Sequence, residues 1–343
     1  MKYSFKNDYS EGCHPSILKA LNDTNLVQQD GYGEDEYSAE AKRLIKKKFN
    51  CPPDASVHLV SGGTQANLLV ISAALRPYQS VISAETGHIN THEAGAIEAG
   101  GHKINSEKTT DGKLTPEICQ KALDFNSNFP HMVKPKMVYI SNSTELGTHY
   151  NLNELEDLYD FCSSNGLYLF MDGARLAQGL TAESNDLKPE ELSKLVDAFY
   201  VGGTKNGALL GEAIVINNLE IQKDFEFYMK QRGALLAKGR LIGIQFNELM
   251  KKDLYFELGR TANRKAMKIK NALKQKGCSF LTNSDTNQIF PILPNNWIDQ
   301  LLKEFGFYVW EKTDKKHSAV RLITSWATPD EAVEKLIEQI EKL

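Results

Sequence analysis

Two stretches decide how this chain is read: Leu167-Tyr-Leu-Phe-Met-Asp172-Gly-Ala-Arg175 and Asp197-Ala-Phe-Tyr-Val-Gly-Gly-Thr-Lys205-Asn-Gly207. Each is an apolar run of strand length with small residues at its exit. The first ends in a carboxylate, Asp172, and the second in a lysine, Lys205. Further short apolar runs at 57–60, 80–83, 137–140 and 213–216 fit strands with little internal alternation. Between them 65–75 and 152–164 read as amphipathic helices, the second capped by Asn151 or Asn153. Strands of this kind alternating with helices argue an α/β fold, a mainly parallel sheet covered on both faces. Ligands of such sheets bind beyond the carboxyl ends of the strands, where Asp172 and Lys205 fall.

Working outward, the 343 residues suffice for one large domain and an accessory one. After about residue 240 the pattern changes to a basic helix over 255–276, strands near 288–293, 307–310 and 319–324, and a last helix over 329–343. That helix opens at Thr328 with proline first. The expected division is an N-terminal segment 1–32, a large α/β domain 33–240 and a smaller α+β domain 241–343. The turn Thr109-Thr-Asp-Gly-Lys113 is expected at the surface. A net charge of −4 gives no reason to expect nucleic acid as a partner. Lys42-Arg-Leu-Ile-Lys-Lys-Lys48 reads as a solvated helix face. No apolar stretch approaches a membrane span, and the start is not a signal peptide. Five scattered cysteines without metal-site spacing suit a reducing cytoplasm.

The chemistry rests on three places. Val57-His-Leu-Val-Ser61-Gly62-Gly63-Thr64-Gln65-Ala-Asn67 is a strand, a glycine turn and a helix start. A helix N-terminus with close backbone approach cradles a phosphate, and Thr64 adds a hydroxyl. Asp172 and Lys205 supply what pyridoxal phosphate (PLP) needs: an amine for the Schiff base and a carboxylate for the pyridinium nitrogen. The plainer reading makes Asp172 a helix cap and Lys205 a solvated loop lysine. The small residues around Lys205 count against it. Third, Gly87-His88-Ile-Asn-Thr-His92-Glu93 carries two histidines four apart. Zinc would need a third ligand and none stands out, so no metal is expected. His88 is the residue expected over the cofactor ring, with His92 structural.

These residues resemble the threonine aldolases, within the β-eliminating lyase group of fold-type I PLP enzymes. The matching pieces are Tyr32-Gly-Glu-Asp35, Ser61 to Asn67, Gly87-His88 with Glu93-Ala-Gly95, Asp172-Gly-Ala-Arg175, Lys205 and Val320-Arg321-Leu-Ile-Thr324. The resemblance implies that Lys205 holds the cofactor, Asp172 pairs with its ring nitrogen, His88 stacks on the ring, and Gly62, Gly63 and Thr64 hold its phosphate. Arg175, beside the cofactor, and Arg321 would take the substrate carboxylate. It implies a homo-oligomer, dimer or tetramer, with sites at a dimer interface, into which Tyr32 and also Lys238 of a neighbour would reach.

Two departures from the family pattern stand out. Lys6-Asn7-Asp8-Tyr9 replaces Arg-Ser-Asp-Thr, placing Asn7 where a serine is expected near the substrate carboxylate. Ser141-Asn-Ser-Thr-Glu145-Leu-Gly-Thr148 lacks the histidine of Glu-Asn-Thr-His, and Thr144 offers no substitute base. The implied reaction is cleavage of L-threonine or L-allo-threonine to glycine and acetaldehyde, with His88 as the base. The rivals are β-elimination or transamination on the same scaffold, and a PLP-binding protein without activity.

Overall fold

The connection 203–211 between two neighbouring strands is shorter than the dozen or so residues a parallel crossover needs, so the second strand must run back. It belongs to a central sheet of seven strands: β1 (Ser56–Val60), β2 (Gln79–Ala84), β3 (Lys103–Glu107), β4 (Lys134–Ser141), β5 (Tyr168–Asp172), β6 (Ala198–Gly202) and β7 (Glu212–Ile216). The order is β1-β7-β6-β5-β4-β2-β3. Only β7 is antiparallel to its neighbours; the other pairs are parallel. This computed structural model describes residues 2–343.

Alternate residues of the strands feed two apolar layers. Ile82, Val138, Leu169, Met171, Phe199 and Val215 face one, and Val81, Met137, Phe170 and Ile214 face the other. Covering both faces is why the strands read as continuous apolar runs. Each large side chain buried this way contributes roughly 1.5–3 kcal/mol. The sheet edge β3 was not visible as a strand in the sequence, because Lys103-Ile-Asn-Ser-Glu107 has a single buried residue. The helix Leu152–Ser164 starts at Asn151 in a capping box with Glu154. The helix Glu36–Lys48 buries Ala41 and Ile45 and leaves Arg43 and Lys47 in solvent, the solvated basic face expected. Residues Ile242 to Leu258 pack into the layer that also covers β5 and β6.

A second sheet of five short strands includes Tyr308–Lys312 and His317–Ile323, with the helices Leu254–Gln275 and Asp330–Lys342 against it. The N-terminal segment is stitched to this sheet. Tyr3–Ser4 pairs with Phe305–Gly306, Phe5 is fully buried in the small core, and the Ile323 N–H donates to the Phe5 carbonyl at 2.9 Å. Two local expectations need correcting. The last helix begins at Asp330, because the Thr328 hydroxyl instead accepts from the Ser325 N–H at 2.8 Å. The 109–113 turn is superficial only in part, with Thr110 exposed and its far side packed. Gly112 is buried at φ +84°, and the Asp111 carbonyl accepts from the Thr148 hydroxyl at 2.7 Å.

Candidate active site

Strands β4, β5 and β6 end side by side, with Ser141 opposite Asp172 in register. The turn after Asp172 lies directly against β6. A Cβ on Gly173 would meet the Tyr200 carbonyl oxygen at 1.8 Å, and one on Gly202 the Gly173 carbonyl oxygen at 2.5 Å. Only glycines permit that approach, and it brings the Asp172 carboxylate over the Tyr200 side chain.

Asp172 is almost fully buried and accepts four hydrogen bonds. Tyr139 OH at 2.6 Å and Asn67 Nδ2 at 2.9 Å reach Oδ2; Tyr200 OH at 2.5 Å and the Ala174 N–H at 3.0 Å reach Oδ1. Burial alone would raise its pKa. The charge of His88 and these donors outweigh burial and hold the group below the ordinary aspartate value, so it is a carboxylate. The two tyrosines are pushed well up by burial and by Asp172, and they stay protonated as donors.

The Asn67 amide carries the network sideways, since its Nδ2 also donates to Glu93 Oε1 at 2.7 Å. The same Glu93 oxygen lies 2.8 Å from His88 Nδ1. A buried carboxylate accepting there places a ring hydrogen on Nδ1 and leaves Nε2 as the nitrogen not engaged by Glu93. Asn67 and Glu93 were quoted in the sequence only as pieces of a motif. The local signal for the pair was an acid five residues after His88. His92 is exposed and stacks on His88 with ring centroids 5.6 Å apart.

Lys205, Gly62, Gly63, Thr64, His88, Asp172 and Arg175 all line one cavity of about 330 Å³. Burial and the charge of Arg175 lower the Lys205 pKa, against the pull of Asp8, Asp172 and Glu212. Glu212 joins this wall unannounced by the sequence. It ends the pairing with β1 opposite Val60, and its Oε2 accepts from the Gly203 N–H at 2.9 Å. Burial pushes its pKa up to about 7. The helix Gly63–Ala74 starts here without a side-chain cap. The first N–H groups of such a helix have no partner within it and point at an incoming anion.

The two arginines are differently engaged. Arg175 Nε and Nη2 donate to the buried Asp8 carboxylate at 2.7 and 3.0 Å, and Asn287 Nδ2 donates to Asp8 at 2.9 Å. Burial would raise the Asp8 pKa, but Arg175 and Lys205 hold it below the ordinary value. Arg321 has no anionic partner among the described residues. Its guanidinium sits 5.4 Å from the Tyr308 ring centre and 5.2 Å from that of Trp310, with Nε buried and unpaired. Burial and Arg175 lower its pKa, so it is a desolvated cation without a counter-ion.

Not every sequence candidate comes to this cavity. Asn7 folds back on its own turn, its Oδ1 accepting from the Tyr9 N–H at 3.1 Å and the Ser10 hydroxyl at 2.8 Å; Tyr9 takes the lining position. Tyr32 is 49% exposed at φ +59° with Lys230 over its ring, lining a separate hollow with Gly33 and His58. Lys238 is exposed.

A family model described as beta-eliminating lyase matches residues 12–295. The chain belongs to that family. A low specificity L-threonine aldolase of Pseudomonas aeruginosa is 32% identical, covering 98% of this chain and 96% of the relative. The structure of a Leishmania major threonine aldolase superposes with a TM-score of 0.97 at 47% identity, covering 99% of each chain. An aspartate aminotransferase of Thermus thermophilus shares the fold alone, with a TM-score of 0.74 at 15% identity over 99% of this chain and 91% of its own. The fold is therefore that of fold-type I PLP enzymes, and the cofactor of this beta-eliminating lyase is pyridoxal 5′-phosphate. The residues present fit that group: an uncapped helix start for a phosphate, a buried ionised carboxylate for a ring cation, and a lysine of lowered pKa.

Proposed function

We infer that this protein is a low-specificity L-threonine aldolase, cleaving β-hydroxy-α-amino acids of the threonine type to glycine and an aldehyde, acetaldehyde from threonine itself. One observation carries the reading: an ionised Asp172, Lys205 and His88, its ring held by Glu93, share a single cavity. The full-length likeness to threonine aldolases points the same way.

When bound, PLP supplies the electron sink that accepts the pair released from the broken Cα–Cβ bond. The remaining work belongs to this chain. Gly62, Gly63 and Thr64 would hold the phosphate, Lys205 would provide the amine that anchors the cofactor, and Asp172 would pair with the ring nitrogen. Arg321 binds the substrate carboxylate as a charge-assisted pair. Arg175, half engaged by Asp8, has its Nη1 to offer alongside it. His88 would stack on the ring, its Nδ1 held by Glu93. Holding the carboxylate at one end and the amine at the other fixes which bond at Cα is turned toward cleavage.

The exposed Tyr32 is read as a contribution to a neighbouring subunit's site in a dimer or tetramer, with Lys238 nearby in the same role. No helix among the described residues is long and apolar enough to cross a membrane. A cytoplasmic setting suits the five unpaired cysteines. The working domain limits remain 1–32, 33–240 and 241–343.

The test is product analysis with the PLP-loaded protein and L-threonine or L-allo-threonine. Equal amounts of glycine and acetaldehyde are expected, and the rate ratio measures the preference at Cβ. Ammonia with a keto acid would move the protein to the eliminating lyases.

A further inference from the structure

We propose that Glu145 is a catalytic residue of the cleavage, its Oε2 atom taking the β-hydroxyl proton of the substrate. The proposal rests on the aldolase reading above. Glu145 lies in the loop that leaves β4, and its side chain lines the same cavity as His88, Asp172, Arg175 and Lys205. The loop's other candidate, Thr144, is turned away, its hydroxyl 2.7 Å from that of Thr148 on the side of the 109–113 turn.

The two oxygens of Glu145 are not equivalent. Oε1 accepts from the Ser141 hydroxyl at 2.8 Å and from the His88 backbone N–H at 2.9 Å. Two donors on one oxygen hold the carboxyl plane and occupy the lone pairs that a proton would need. The titrating proton therefore belongs on Oε2, which has no hydrogen-bond partner among the described residues. Burial, reinforced by the Asp172 carboxylate, raises the Glu145 pKa despite the Ser141 hydrogen bond. A carboxylate so placed accepts a proton more readily than a surface glutamate.

His88 is tied to the same wall through its backbone, while its Nδ1 is committed to Glu93. The step balances as follows. The substrate O–H bond breaks and its proton passes to Oε2. The oxygen forms the aldehyde C=O, and the Cα–Cβ pair stays with Cα. A proton then adds to Cα to give glycine while Oε2 releases the one it took, so none is gained or lost overall.

The experiment compares PLP-loaded wild type with Glu145→Gln in two reactions. One is aldehyde release from L-threonine and L-allo-threonine. The other is exchange of the glycine α-hydrogen in D2O, followed by NMR, which needs the cofactor and carboxylate site but no β-hydroxyl. Expected is a loss of about 10²-fold or more in cleavage, with glycine exchange and the glycine-induced change in visible spectrum kept within about two-fold. Undiminished cleavage, or equal losses in both reactions, overturns the proposal.

Wild type gives a second arm that needs no variant. The groups facing Glu145 are His88, Asp172, Tyr139 and Arg175. All are present in both reactions, so a fall of cleavage at low pH that glycine exchange lacks isolates the hydroxyl step. Identical profiles count against Glu145. Wild type that exchanges glycine but releases no aldehyde from either epimer overturns the aldolase reading, and this proposal with it.

Discussion

Where the large sheet meets the cavity, the Asp172 carboxylate already has four donors. On the small sheet, outside the residues that line the cavity, the Arg321 guanidinium has aromatic rings beside it and no anion among the described residues. The first wall is complete in the protein itself, and its charge is stabilised by fixed dipoles. The second carries a desolvated cation that no anion among the described residues pairs with. Arg175 lies between these extremes, its charge matched by Asp8. The contrast teaches that a buried charge can be structural or receptive according to whether the chain supplies its counterpart.

The largest break in that contrast should come from Asp172→Ala. It strands Tyr139, Tyr200 and Asn67 donors in the interior, at about 1–3 kcal/mol each. Urea unfolding of the cofactor-free protein should show a loss of at least about 3 kcal/mol, together with abolished cleavage. Unchanged stability would mean the network relaxes without cost.

Asp8→Ala should follow, costing about 3–5 kcal/mol by leaving Arg175 buried without its partner. The pH sign sharpens this test. The Asp8 pKa is depressed in the folded state, so its stabilisation is complete above the ordinary aspartate value of about 3.9 and is lost as pH falls through the native one. The gap between wild type and Asp8→Ala should therefore be constant near neutrality and narrow only in acid. A gap that closes near pH 6 would point to another group.

Arg321→Ala should act on binding rather than folding. Loss of a charge-assisted contact worth about 1.5–3 kcal/mol should weaken glycine binding and raise the KM for threonine about 10–100-fold. Unfolding stability should stay within about 0.5 kcal/mol. Destabilisation as deep as that of Asp172→Ala would erase the distinction between the two walls. Smallest is Trp310→Ala, which removes a cation–π contact of about 0.5–1 kcal/mol and should raise KM only two- to five-fold, roughly.

Much of the scaffold is legible because it repeats a simple pattern. Six of the seven central strands are apolar runs, and the Asn151 cap and the basic helix face follow from local spacing. The edge strand β3 escaped because an edge needs no apolar run, and β7 shows no mark of its reversed direction in its own residues. Asp172, Lys205, His88 and the glycine cradle were recognisable because each sits at a strand exit or helix start, where residue type and position together imply a chemistry.

Their partners were not recognisable in the same way. Asp8 meets Arg175 across 167 residues and Asn67 meets Asp172 across 105, pairs that only folding brings within hydrogen-bond reach. Sequence by itself determined six of the seven central strands, the cofactor chemistry and the family, since those depend on periodicity and on motifs contiguous in the chain. Tertiary structure alone decided which arginine is neutralised, which nitrogen of His88 is engaged by Glu93 and which oxygen of Glu145 is hydrogen-bonded. Those depend on donors and charges from distant segments, and no local pattern encodes the distance between them.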